Sequence, residues 1–412
     1  MARFELSEET RKRVEEIGSA DLVIGVAGVA PFELLLEKIP SWLQRLSPSP
    51  GRTVLAFAGV QEMPSQPLPE GLELLPFVPA AHDPSLGPWI ELSSAQLAVI
   101  GLASILEARG CIVFHPDLAA FDDPGSLQLA IPILEGNCDL VMPVYPEGKY
   151  EGLLNKGLLA PLSRSLCGRR VSAPLPSDFG VSARMISRMT AGQPQRALTA
   201  PRLLWPATVA GMDGGEICEA PLHIRHSTQS EGLELSTVIG QLVGSLFQEV
   251  ELQAAQWQRV RGSQAMRALT AQSGAGPETA ELPAPDPQPL IDSFVLGFRN
   301  LEEVWRIALP PLSLFELQRL ARLSPAEFSM PDELWVKIVY DFAVAWHVRR
   351  ISRGHLLGAL TPLYLGWVAS YVRSVSDLSL VKTQARLEEL AQAFEVYKPY
   401  FVSRWRWPDR VS

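Results

Sequence analysis

The sequence predicts an α/β protein in which a mostly parallel sheet, flanked by helices, is followed by an all-helical C-terminal region. Three observations carry this. Through residues 1–270, short apolar runs alternate with segments of helical periodicity, the pattern of a parallel sheet with right-handed crossovers. Ser273 to Pro289 is rich in Pro, Gly and Ala and has no hydrophobic period, as a linker would be. Residues 290–412 read as nearly continuous helix. The expected division is therefore 1–270, a linker at 271–289, and a helical domain at 290–412.

The elements follow in order. Met1 to Gly18 is a charged amphipathic helix without a signal-peptide core. Ser19 to Ala27 is the first strand. Pro31 to Leu46 is an amphipathic helix with Pro31 near its first turn. Gly51 to Gly59 and Leu72 to Val78 are the second and third strands. Leu92 to Arg109 carries apolar residues at helical spacing. Cys111 to Phe114 is continuously apolar and follows that helix, so it reads as a buried parallel strand. Pro116 cannot donate to a ladder and ends it, leaving Asp117 just past its carboxyl end. Ligands of open α/β sheets gather there; an Asp in such a place also serves as a turn or cap residue. Ser236 to Val260 is a long amphipathic helix.

With 412 residues, 47% hydrophobic and 20% charged, the chain can build two or three cores. A net charge of −9 and a pI near 5.3 set its overall field against nucleic acid and anionic membranes. Cysteines 111, 138, 167 and 218 show neither metal-ligand spacing nor a CxxC pair, and are expected to stay reduced in the cytoplasm. No run reaches the ~20 uninterrupted apolar residues of a membrane span.

Cys138 to Ser182 reads CDLVMPVYPEGKYEGLLNKGLLAPLSRSLCGRRVSAPLPSDFGVS. It resembles the second half of the catalytic domain in GT-A type glycosyltransferases of the glucosylglycerate and mannosylglycerate synthase kind. The shared residues are Asp139-Leu140-Val141, Pro143, Tyr145, Lys149-Tyr150, Gly152, Asn155, Pro161-Leu162, Gly168, Arg170, Pro174 and Asp178-Phe179-Gly180. The resemblance implies a Rossmann-like GT-A domain and a nucleotide-sugar donor. It also implies a divalent metal (Mg²⁺ or Mn²⁺), a small acceptor such as glycerate, and a homo-oligomer. Asp178 matches the acidic residue facing the transferring sugar; by position it could instead cap a helix beginning at Val181-Ser182. Lys149, Tyr150 and Asn155 would line the acceptor cleft, or lie on a surface loop and the helix Leu153 to Leu166.

The donor side departs from the family pattern. The polar stretch ending the first strand is replaced by Ala27-Gly28-Val29-Ala30. The base-recognising acidic turn is replaced by Ala58-Gly59-Val60, and the lysine-bearing diphosphate loop by Gly87-Pro88-Trp89-Ile90-Glu91. Of the acidic metal motif, His115-Pro116-Asp117 keeps only the second carboxylate. Ala27, Gly59, His115 and Asp117 are thus the candidate cofactor-binding positions. Losing two charge-assisted contacts at about 1.5–3 kcal/mol each would weaken a donor roughly a hundredfold or more. The family's last metal-ligating His falls on Ser227, one position after His226. In a continuous strand a one-residue shift turns the side chain away. Asp117, His226 and His115 form the candidate metal set.

In the C-terminal region, PDELWVKIVYDFAVAWH and HLLGALTPLYLGWVASYV continue the resemblance. They make Tyr340, Asp341, Phe342, His347 and His355 candidate cleft contacts, although Trp335, Val339 and Phe342 form a simple packing stripe. Two readings follow: a retaining hexosyltransferase, or a GT-A scaffold without turnover kept for binding or assembly.

Overall fold

The runs LVIGV, TVLAFA and GCIVF are apolar at every or nearly every position, and each is buried on both faces of a sheet. A computed structural model describes residues 7–47, 49–59, 68–78, 87–191, 203–226, 233–270 and 283–408. Its strands are β1 (Leu22–Val26), β2 (Thr53–Ala58), β3 (Leu72–Phe77), β4 (Gly110–Phe114), β5 (Leu140–Val144), β6 (Phe179–Ser182), β7 (Ile217–Pro221) and β8 (Arg267–Ala268). They form one eight-stranded sheet in the order β3-β2-β1-β4-β6-β5-β7-β8. All pairings are parallel except those of β6, which runs antiparallel to both β4 and β5. With the helices that follow residue 290, this is the expected fold class.

Apolar layers cover both faces of the sheet. One joins Val23, Val54, Val99, Val113 and Met142; the other joins Ile24, Leu55, Trp42, Phe114 and Val141. On the first, the helix Pro88–Ile105 packs against β1 so closely that a Cβ at Gly25 would lie 2.1 Å from Val99 Cγ1. This helix is apolar and long enough to cross a membrane by length and composition, but that apolar character is used inside the domain. On the second face, Trp42 meets Phe114 edge-on at 5.6 Å and donates from Nε1 to Ser126 Oγ at 2.8 Å.

The chain divides into two compact units, and their borders do not follow the expected one at 270. The first holds 1–146, 171–231 and 265–278; the second holds 147–170, 232–264 and 279–412. Polar anchors explain why early segments belong to the helical unit. Arg164, 6% exposed, donates to both Glu388 oxygens at 2.6 and 2.9 Å and also pairs with Glu395. Trp335 Nε1 donates to the Gly157 carbonyl at 2.8 Å. Such contacts join residues more than 170 positions apart, beyond the reach of local pattern. Most of the expected linker, 271–282, lies outside the described residues.

One further expectation changes. Cys138 and Cys218 form a disulfide, while Cys111 and Cys167 remain free and buried. The reason is tertiary: β5 and β7 are parallel neighbours, which brings the two Cα atoms within 6.5 Å across a separation of 80 residues. The helix expected from Leu153 does begin there, and it passes through a π-helical turn, Asn155–Leu159, before the α-helix Ala160–Cys167.

Candidate metal centre

Parallel strands place all their carboxyl ends on one edge of a sheet. Ala27 follows β1, Gly59 follows β2, His115 and Asp117 follow β4, Tyr145 follows β5, and His226 lies beyond β7. Antiparallel β6 points the other way, so its first residues reach the same edge. The β4–β6 register pairs Val113 with Phe179, which sets Asp178 beside His115. Asp178 therefore precedes a strand, and the helix it was offered as capping begins only at Ala183.

His226 joins the parts. Its Nδ1 lies 2.8 and 3.1 Å from the two Asp117 oxygens, and its Nε2 lies 2.5 Å from Asp178 Oδ2. Carboxylates only accept, so both ring nitrogens donate and the imidazole is cationic. Burial opposes that charge, but the hydrogen bonds and charges of Asp117 and Asp178 outweigh it and hold the His226 pKa up at about 10. Burial likewise works against the Asp117 anion, yet hydrogen bonds from His115 and His226 keep its carboxyl far below the ordinary carboxylate range. The rings of His115 and His226 lie 4.5 Å apart.

The worry about a one-residue strand shift does not arise. The chain leaves β7 at Pro221, and Leu222 to His226 is irregular, so the period of two no longer dictates where His226 points. Ser227 lies outside the described residues.

Asp178 is fully buried, which corrects its expected place facing a sugar. Oδ1 accepts the His115 N–H at 2.9 Å, and Oδ2 accepts the Tyr145 hydroxyl at 2.7 Å as well as His226. The Tyr145 hydroxyl in turn accepts the Asp178 N–H at 3.3 Å, and its ring meets His226 edge-on at 5.3 Å. Asp178 and Tyr145 thus hold the His226 ring. Tyr145 received no role from the sequence, although it is one of the residues shared with the family motif and lies just past β5.

One donor atom from each of His115, Asp117 and His226 lies within 4.8 Å of the others, a group able to hold a metal ion. His115 Nδ1 lies 3.3 Å from the Asp117 backbone N and 3.1 Å from Asp117 Oδ2, so these two ligand groups already face one another. The bond from His226 Nε2 to Asp178 is the carboxylate–histidine support usual at metal ligands, leaving Nδ1 as the metal-facing nitrogen. Two imidazoles and one carboxylate favour Mn²⁺ or another transition ion over Mg²⁺, which prefers oxygen throughout.

Ala27 and Gly59 lie on the same edge. Ala27 is buried, donating its N–H to the Phe114 carbonyl at 2.9 Å; Gly59 donates to the Phe77 carbonyl at 3.0 Å, with nothing within 4 Å of where a Cβ would sit. Lys149, Tyr150 and Asn155 are half-buried members of the helical unit, where the Lys149 carbonyl accepts the Tyr371 hydroxyl at 2.9 Å. Tyr340 and Asp341 are fully buried in that unit, a correction to their expected cleft contacts. The Tyr340 hydroxyl donates to the Phe394 carbonyl, and Asp341 accepts from Tyr400 at 2.7 Å and Arg404 Nε at 2.9 Å. His347 stacks on Trp405 at 4.1 Å.

No protein-family model and no curated protein matches the sequence. Among solved structures, the chain is similar to glucosyl-3-phosphoglycerate synthase from Mycobacterium tuberculosis in complex with Mn²⁺, UDP-glucose and phosphoglyceric acid. The identity is 14% and the TM-score 0.35, over 58% of this chain and 82% of that one. The same synthase with Mn²⁺, UDP and phosphoglyceric acid gives 11% and 0.34, over 58% and 81%. A likeness that distant says nothing of this chain's activity.

Proposed function

We propose that this chain is a glycosyltransferase-like protein that binds a nucleotide-sugar through a divalent transition metal at the carboxyl edge of its sheet. The observation that carries this is the convergence of His115, Asp117 and His226 at the end of β4. The Cys138 to Ser182 motif supports the same reading. His115, Asp117 and His226 would hold the ion, which when bound neutralises diphosphate oxygens. The chain's own contribution is orientation. Asp178 and Tyr145 fix the His226 ring, and Ala27 and Gly59 end neighbouring strands of the same edge.

Binding without turnover is the second reading, and one observation favours it. The carboxylate matched to the reacting sugar, Asp178, is enclosed with both oxygens engaged. Thermal-shift titration of nucleoside diphosphates and UDP-glucose, with and without Mn²⁺, tests the proposal. Mn²⁺-dependent stabilisation that disappears in Asp117→Ala is expected; a flat response across the panel would overturn it. Release of free sugar or a glycosylated acceptor would then decide between transfer and binding alone.

A further inference from the structure

The disulfide between Cys138 and Cys218 lies at the amino ends of β5 and β7, on the sheet edge opposite the metal group. Cys218 sits within β7 and pairs in register with Arg267 of β8. From there the Arg267 guanidinium donates through Nη2 to Cys218 Sγ at 3.2 Å and to the Asn137 carbonyl at 2.9 Å. A disulfide sulfur is a weak acceptor and gains little from a cation. A thiolate in its place would gain a charge-assisted bond, and a neighbouring arginine favours the thiolate form of a cysteine.

The other sulfur has the surroundings of a protonated thiol. Cys138 Sγ lies 3.3 Å from the Leu140 carbonyl oxygen and 3.5 Å from that of Glu216, so an S–H there has acceptors in place. Each sulfur already faces the partner that its reduced form requires, and all of these residues belong to the first compact unit. Cys138 is also the more approachable of the two. It is 4% exposed against 0% for Cys218, and the exposed residues Glu135 to Asn137 lead into it.

We propose that this disulfide is a reversible redox switch, opened by thiol reductants. A first reductant thiolate bonds to Cys138 Sγ, the S–S bond breaks, and its electron pair leaves on Cys218 Sγ, where Arg267 receives it. A second reductant thiol loses its proton to solvent and displaces Cys138, which takes up one proton and donates to the Leu140 carbonyl. The two reductant sulfurs leave joined, oxidised by two electrons, and one proton is released overall. A thiolate stabilised in this way also leaves faster, so Arg267 acts on the rate as well as the equilibrium. The bond closes a chain separation of 80 residues that contains β5, β6 and Asp178; reduction reopens that loop, and the reduced fold unfolds more readily. The switch is independent of what the metal group binds.

The test equilibrates the full native chain with graded mixtures of reduced and oxidised glutathione. Acid quenching, alkylation in denaturant and intact mass then count the thiols, and circular dichroism of the same samples verifies the fold. Wild type should pass reversibly from two thiols, Cys111 and Cys167, to four while staying folded. Arg267→Gln should need about a tenfold more reducing mixture, from the loss of one charge-assisted contact, and Arg267→Lys should stay nearer wild type. A measurement on wild type alone reads the thiolate. Because opening releases a proton, the midpoint quotient (reduced glutathione squared over oxidised) should fall by about tenfold from pH 6.5 to 7.5. A bond that stays closed in reduced glutathione alone is a structural bridge and overturns the switch. Opening that unfolds the chain, a midpoint independent of pH, or a glutamine variant that opens at the wild-type ratio does so too.

Discussion

Replacing Asp178 with Asn tests whether this enclosed carboxylate acts through His226. The substitution keeps the shape but removes an acceptor. Three donors converge on Asp178: the His115 N–H, the Tyr145 hydroxyl and His226 Nε2. With an amide in place, either the His115 N–H or the pair formed by Tyr145 and His226 faces an NH₂ group. Losing the charge-assisted bond to His226 costs about 1.5–3 kcal/mol. That corresponds to roughly 10- to 150-fold in affinity, close to the 10- to 100-fold typical of groups that support metal ligands. Calorimetric titration of Mn²⁺ into chelator-treated wild type and Asp178→Asn measures it, with circular dichroism to verify folding. A second reading comes from protons. His226, with a pKa of about 10, is protonated at neutral pH, so binding must expel about one proton. Its pKa lies above the ordinary 6.5, so the stability this cation lends the fold is full below pH 6.5 and gone above 10; metal binding should tighten as pH rises across that window. Equal Mn²⁺ affinity in the variant, or wild-type heats independent of buffer ionisation enthalpy, would refute the assignment.

Three other outcomes are expected. Burial, opposed by Tyr400 and Arg404, raises the Asp341 pKa from 3.8 to about 6, so the native state holds this proton longer than the unfolded chain. Its contribution to stability is greatest below pH 3.8 and falls by about 3 kcal/mol as pH climbs to 6. Denaturant melts of Asp341→Asn should lack that slope, and an unchanged slope would assign it elsewhere. In Gly157→Ala, the new Cβ would lie 2.0 Å from Cη2 of the buried Trp367 ring, so a loss of about 3 kcal/mol is expected in urea unfolding. A loss under about 0.5 kcal/mol, the level of a neutral surface change, would mean that the ring moves freely. Thiol titration of the denatured, unreduced protein should count two free cysteines, Cys111 and Cys167. Cys138→Ser should lower stability by up to about 4.5 kcal/mol, the chain-entropy estimate for a loop closed across 80 residues; four free thiols would remove the disulfide from the account.

The sequence by itself determined the layers. Continuous apolar runs marked β1, β2 and β4, because burial on both faces needs only local composition. Helical periodicity marked the C-terminal helices, and Pro116 marked the end of β4 with Asp117 beyond it. Tertiary structure alone decided the rest, since each feature depends on which distant segments meet. Phe179 to Ser182 became an antiparallel strand only by fitting between β4 and β5. That inversion carries Asp178 to the carboxyl edge and seals it under Tyr145 and His226. Irregular chain after β7 let His226 reach Asp117, where a strand period would have turned it away. The disulfide, the borders of the two units and the burial of Asp341 have the same origin. Pairings across roughly 60 to 230 residues leave no periodic trace along the chain.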